Sequence, residues 1–275
     1  MSLPTNFRSK YGPYALVTGA SSGIGAEYAR QLAATGLNLV ITARRAALLQ
    51  ELSKDLKQKY DSIDIRIVVA DLSSEEDIEK IVSETKELEI GLLVSNAGLE
   101  VFGSFFAHDV ERHKKVTKVN AMATLQLVYH FGKRMIDRRK GGIIIVSSLG
   151  SYAFPFFSTY SATKAYISNL GMILNYELKP FGVDVLVSEP GLVDTAMMDK
   201  LGELLDAREI GYAAATVEET VGLTLPQLGK AVVYTPGLIE RITMWFLKVC
   251  PRWLVFSVLG RKWERMSESD KILRR

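Results

Sequence analysis

The stretch TGASSGIG, residues 18–25, decides the reading of this chain. It is entered from YALV (14–17), an apolar run suited to a buried strand. It leads into GAEYARQLAATG (25–36), where apolar residues recur at helical spacing up to a glycine that suits a helix C-terminus. Gly19, Gly23 and Gly25 punctuate the turn. A strand that runs through glycines straight into a helix brings backbone close to whatever lies above it. The helix start adds unpaired N–H groups and the positive end of its dipole. Together these make a cradle for the pyrophosphate of a dinucleotide, in the strand–turn–helix setting that such a cradle needs.

Working outward, the same alternation continues along the chain. Short runs rich in Val and Ile occur at NLVITA (38–43), IRIVVAD (65–71), GLLVSNAG (91–98), GIIIVSS (142–148), VDVLVSEPG (183–191) and AVVYTP (231–236). Continuous apolar runs of this length read as parallel strands buried on both faces. Helical patterns lie between them, such as DLSSEEDIEKIVSETKEL (71–88), which opens with Ser and acidic residues as a helix N-terminus should. Repeated β-α-β predicts an α/β fold with a doubly wound, seven-stranded, mostly parallel sheet and helices on both faces. Ligands in such sheets bind beyond the carboxyl ends of the strands.

Bulk properties exclude several classes. The 275 residues, 48% hydrophobic and 24% charged, are those of a globular protein with a sizeable core, read as one domain over 1–275. A net charge of +3 is too small to argue for nucleic acid. The single cysteine, Cys250, allows neither an internal disulfide nor a thiolate metal cage, which suits a reducing cytoplasm. His108, His113 and His130 show no metal-ligand spacing, so they read as structural and no metal is expected. The start, MSLPTNFRSKYGPY, has no apolar core of a signal peptide.

The strand ends carry further candidates. The second ends in TARR (42–45), with no acidic residue to hold a ribose 2′-hydroxyl; Arg44 and Arg45 suit a 2′-phosphate instead, which predicts NADP(H) over NAD(H). Asp71 and Leu72 end the third strand, and Asn96, Ala97 and Gly98 end the fourth, where a dinucleotide would have its adenine and ribose edges. In TYSATKAY (159–166), Tyr160 stands four residues before Lys164, so both side chains share one helix face.

TGASSGIG, SNAG, a serine pair after a strand, YSATK and EPG occur in that order, and over roughly residues 12 to 236 the chain resembles the short-chain dehydrogenase/reductase superfamily in its compact single-domain form. The resemblance implies a Rossmann-type fold and hydride transfer between a nicotinamide and a carbonyl or alcohol. It makes Tyr160 the proton donor and acceptor. Lys164 would bind the nicotinamide ribose and lower the pKa of that tyrosine, Ser148 would hold the substrate oxygen, and Asn120 would support a water-linked path to Lys164. Gly19, Ser21, Ile24 and Gly25 would touch the phosphates. Arg44, Asp71, Leu72, Asn96 and Ala97 would serve the adenosine half, and Pro190, Gly191, Val193 and Thr195 would flank the nicotinamide. Elementary chemistry agrees: a phenol titrating near pH 10 is a poor base at neutrality, and a nearby ammonium favours phenolate.

Two departures stand out. Ser95 occupies a position where the family usually has asparagine. The loop from Ser148 to Tyr160 is one residue tighter than usual, so counting back from Tyr160 gives Ser147 and counting forward from the strand gives Ser148; loops absorb deletions more readily than strands, which favours Ser148. Asn120 lies inside a long helical pattern, where an asparagine is often only a polar spot.

The segment after EPG, 196–212, would form a lid in this family, with Met197, Met198, Leu201, Leu204 and Leu205 facing Tyr152, Phe154, Phe156 and Phe157 of the tightened loop. Such a wall suits a flat or long apolar carbonyl compound or alcohol. The tail, 237–275, resembles that of a bacterial branch related to ketosteroid and 3-ketoacyl reductases. The same residues could run in the oxidative direction, or the crevice could belong to a non-catalytic dinucleotide sensor or scaffold. Apolar faces on helices around 110–138 and 160–179 imply, by the same resemblance, a homo-oligomer, a dimer or a tetramer. The apolar run 242–260, broken by Lys248, Pro251 and Arg252, reads as a packed or partner-facing tail, with weak contact to a membrane surface as the alternative. A cytoplasmic location, peripheral to membrane if the tail touches it, follows.

Overall fold

The computed structural model describes residues 7–195 and 214–266. Seven strands are described: β1 (Tyr14–Thr18), β2 (Asn38–Ala43), β3 (Ile65–Val69), β4 (Ile90–Ser95), β5 (Gly141–Val146), β6 (Val183–Ser188) and β7 (Val233–Tyr234). They form one sheet in the order β3-β2-β1-β4-β5-β6-β7, and every pairing is parallel. The order reverses between β1 and β4, which opens a crevice at their carboxyl ends.

The alternation of side chains along each strand builds two cores. Ala15, Val17, Leu39, Ile41, Leu92 and Val94 face one side. They meet α1 (Phe7–Tyr11), α2 (Gly23–Ala34), α3 (Ala46–Lys59) and α8 (Val217–Thr224), the last numbered in chain order after those below. Leu16, Val40, Leu93, Ile143 and Ile145 face the other side. There they meet α4 (Glu75–Glu84), α6 (Ala123–Arg138) and α7 (Ser158–Leu178). Burial on both faces is why the strands read as unbroken apolar runs.

The punctuation also follows the sequence. Ser74 caps α4 by accepting from the Asp77 N–H at 3.3 Å. Gly36 (φ 79°) follows α2 in a left-handed turn. The long helical pattern near 110–138 departs from expectation: α5 (Val110–Thr117) passes into α6 through a π-turn, Lys118–Met122, centred on Asn120. Such turns widen a helix by one residue and cluster at functional sites. Tyr129 on α6 and Ile173 and Tyr176 on α7 are exposed.

After β7 come two further helices, α9 (Leu238–Val249) and α10 (Arg252–Met266). No described helix is long and apolar enough to cross a membrane. Their inner faces form a third cluster, in which Met244, Leu247 and Val255 enclose Leu149, with Tyr152, Phe154 and Cys250 against them.

Candidate active site

Strand register brings the candidates to one edge. Val17 pairs with Val94, Val94 with Ile144, and Val146 with Ser188, so the residues just beyond these strands share a level. Thr18 ties the first two ends together. Its Oγ1 accepts from the Asn96 and Ala97 N–H groups, both at 2.9 Å, and its carbonyl accepts from Asn96 Nδ2 at 2.9 Å. Asn96 therefore acts through its amide as a clamp beneath the glycine turn.

The turn itself fits a pyrophosphate. Gly19 (φ 69°) and Gly23 (φ 55°) hold conformations that L side chains rarely adopt. A Cβ on Gly25 would lie 2.3 Å from the Gly19 carbonyl oxygen, so the helix start has room for hydrogen only. α2 begins at Gly23, with its first N–H groups at the crevice, and Ile24 seats the turn on the core. Thr195 reaches across; its Cγ2 lies 3.1 Å from where a Cβ of Gly23 would sit. Val193 is buried behind it in a bridge to Ala215.

At the basic corner the two arginines have different partners. Arg45 is the residue that spans the turn: its guanidinium donates to Ser21 Oγ at 2.9 Å and to Ser22 Oγ at 2.7 Å. Arg44, half exposed, stands 4.0 Å from Asp71, and Lys115 stands 3.7 Å from the same carboxylate. Burial raises the Asp71 pKa, but hydrogen bonds from Ser73 and the charges of Lys115 and Arg44 outweigh it and hold the carboxyl below its ordinary value. The Leu72 side chain is part of the core, which leaves only its backbone for the crevice. Lys115 was invisible to strand-end reasoning because it arrives from α5.

At the other end, Tyr160 and Lys164 share one face of α7, with Nζ 5.8 Å from the ring centroid. Lys164 is buried, and Nζ donates to the Val146 carbonyl at 2.9 Å. Burial lowers its pKa to about 8. The phenol corrects an expectation. Its pKa is not lowered by the ammonium; burial pushes it up to about 12, with a Ser148 hydrogen bond pulling down and Glu100 pushing up. Desolvation of a phenolate here is larger than any help from a lysine that is itself desolvated.

The serine pair divides cleanly. Ser147 Oγ donates to the Lys164 carbonyl at 3.0 Å and accepts from Ser168 Oγ at 2.7 Å, which turns it into the packing beneath α7. Ser148 is the one beside the phenol; its Oγ also accepts from the Gly150 N–H at 3.0 Å. A Cβ on Gly150 would come 2.8 Å from the Tyr160 ring.

The π-turn aims Asn120 inward. Its Oδ1 accepts from the Leu99 N–H at 2.8 Å, and Nδ2 donates to the Leu99 carbonyl at 2.8 Å and Thr163 Oγ1 at 3.1 Å. Ser95 supports this turn through Thr124, 3.0 Å away, whose hydroxyl donates to the Asn120 carbonyl at 2.9 Å. A Cβ on Gly98 would sit 3.5 Å from Lys164 Nζ and 3.6 Å from Asn120 Oδ1, so Gly98 keeps the space between them open.

The loop over the site is strained and partly turned outward. Ala153 (φ 52°) and Phe156 (φ 67°) are left-handed without being glycine. Phe157 packs beside Tyr160, centroids 6.2 Å apart, and beside Phe102 at 4.9 Å. Tyr152 and Phe154, expected to line a substrate wall, pack instead on the α9–α10 cluster. Pro190 accepts from the Leu149 N–H at 2.9 Å, and Glu240 of α9 lies against Gly191. The segment read as a lid lies outside the described residues. His113, held by Thr159 at 2.7 Å and the Phe105 carbonyl at 2.9 Å, is part of the packing around α7.

Known proteins resemble this chain in sequence and fold. The sequence model described as short chain dehydrogenase matches residues 13–205. The chain belongs to the short-chain dehydrogenase family. Among members of that family, it is 36% identical over 224 residues to a very-long-chain 3-oxoacyl-CoA reductase-like protein of Arabidopsis thaliana, covering 78% of this chain and 72% of that one. It is 29% identical over 263 residues to a 7beta-hydroxysteroid dehydrogenase of Clostridium sardiniense, covering 95% and 100%. A solved short-chain dehydrogenase from Sphingobium yanoikuyae, in complex with NADPH, superposes with a TM-score of 0.77 at 28% identity, covering 93% and 96%. As a short-chain dehydrogenase the chain is an oxidoreductase that uses a nicotinamide cofactor.

Proposed function

We propose that this short-chain dehydrogenase is NADP(H)-dependent and reduces the carbonyl of an apolar substrate, with Tyr160 as proton donor. The observation that carries the reading is the Tyr160 phenol, half-buried at the strand ends, hydrogen-bonded to Ser148 and backed by buried Lys164. When bound, the nicotinamide supplies the hydride. Ser148 donates a hydrogen bond to the substrate oxygen, where negative charge gathers. Tyr160, a phenol protonated at neutral pH, gives its proton to that oxygen. Lys164 restores a proton toward the phenol from the space that Gly98 keeps open. Asn120 orients that space through Leu99 and Thr163. The same residues run backward would oxidise an alcohol, and the ratio of reduced to oxidised cofactor sets the direction.

Arg44 and Arg45 support the choice of NADP(H), since two guanidiniums at the end of β2, one at Ser21 and one near Asp71, suit a 2′-phosphate. Phe157 and Phe102 near Tyr160 support an apolar substrate, as do the steroid and 3-oxoacyl names of the relatives. The test is titration with NADPH and turnover of a panel of steroid ketones and 3-ketoacyl thioesters, for wild type and Tyr160→Phe. The variant is expected to bind NADPH as wild type does and to lose turnover by about 10²- to 10⁴-fold. Undiminished turnover, or no NADPH binding by wild type, would sink the reading.

A further inference from the structure

Helix α9 is apolar on two faces. Glu240, Met244 and Leu247, spaced i, i+4, i+7, are buried against the loop after β5 and its neighbours. Leu238, Ile239, Ile242, Trp245, Phe246 and Val249 form a second stripe, and each is more than half exposed. α10 repeats the pattern: Val255 is buried, while Trp253 (70% exposed), Phe256 and Val258 are open. A helix on one core needs one apolar stripe, and a second stripe this wide marks a contact surface.

Charge names what covers it. Over residues 238–261, Glu240 is buried, and the exposed charged side chains are Arg241, Lys248, Arg252 and Arg261, all positive. At 100° per residue, Arg241 and Lys248 run along one border of the exposed stripe. The three tryptophans of the chain, Trp245, Trp253 and Trp263, all fall in these two helices. An apolar stripe bearing tryptophan and edged by cations matches the boundary between lipid headgroups and acyl chains. A second copy matches it poorly. In a two-fold contact the patch meets itself, and among the described side chains it offers its cations no anion.

We propose that α9 and α10 dock on the surface of an anionic lipid bilayer, lying in its interface. The inference stands independently of the substrate reading. Full-length protein is mixed with vesicles of phosphatidylcholine alone or with added phosphatidylglycerol, pelleted, and followed by tryptophan emission, which reports these helices alone. Pelleting with a blue shift is expected on the anionic vesicles. Partitioning is expected to weaken about fivefold for each of Arg241→Gln and Lys248→Gln. The double variant Trp245→Ser/Phe246→Ser should lose vesicle binding while still binding NADPH like wild type, which shows that it is folded. The proposal fails if wild type stays in the supernatant, if it partitions equally to both vesicle types, or if the double variant still pellets. It also fails if light scattering without lipid shows a wild-type dimer that the double variant loses, because the face then belongs to a second copy.

Discussion

Replacing Lys164 with Met tests the energetics of the site directly. Lys164 is 4% exposed, and burial lowers its pKa from the ordinary 10.5 to about 8. Between those two values the unfolded chain binds a proton that the folded chain does not. Stability therefore rises with pH across that window and sits lower below about pH 8. The difference of the two pKa values corresponds to about 3 kcal/mol. Met keeps an unbranched stem of similar length and cannot titrate. Urea unfolding of both proteins at pH 7.5 and pH 10.5 isolates the effect, because groups common to both cancel. Wild type is expected to gain about 3 kcal/mol on the variant as pH rises, or about 6–12 °C in melting temperature at a few degrees per kcal/mol. The variant should also lose turnover, since the group that costs stability is one the proposed reaction uses. A stability difference that stays flat with pH, or one in which wild type loses ground as pH rises, would refute the assignment of a desolvated ammonium.

Two further substitutions probe the cofactor side. Gly25→Ala forces a methyl to 2.3 Å from the Gly19 carbonyl and 2.5 Å from Asn96 Nδ2; a loss of about 1–3 kcal/mol and much weaker NADPH binding are expected, and an unchanged melting curve and titration would contradict the tight turn. Arg44→Ala and Arg45→Ala should each weaken NADPH about ten- to a hundredfold with little effect on NADH, as for a charged hydrogen bond removed; an equal loss for both cofactors would show that the arginines do not read the 2′-phosphate.

The sheet was legible because parallel strands buried on both faces leave continuous apolar runs, and each of the seven runs is a strand. The glycine turn was legible because its backbone needs φ values that only a few residue types tolerate. Other features left no local trace. A π-turn has nearly the same apolar period as an α-helix, so Asn120 looked like a polar spot within a long helix. The spacing of Tyr160 and Lys164 gives a shared helix face but not the depth of burial, and depth decides the direction of both pKa shifts. Lys115 meets Asp71 only through tertiary folding. The aromatic residues of the tightened loop could have faced substrate or tail, and composition alone does not distinguish them.

The contact between that loop and the tail bears on how such an enzyme changes its diet. Two left-handed non-glycine residues, Ala153 and Phe156, cost about 1–3 kcal/mol each and persist only where surroundings over-determine them. Met244, Leu247 and Val255 pack against Tyr152 and Phe154, the two neighbours of Ala153, from a part of the chain outside the β-α-β alternation. The β-α-β scaffold that carries Tyr160 and the mould that shapes the neighbouring loop are thus separate parts of the chain. Exchanging the inner face of α9 and α10 offers a library-builder a way to reshape the mouth of the crevice while leaving Ser148, Tyr160 and Lys164 untouched.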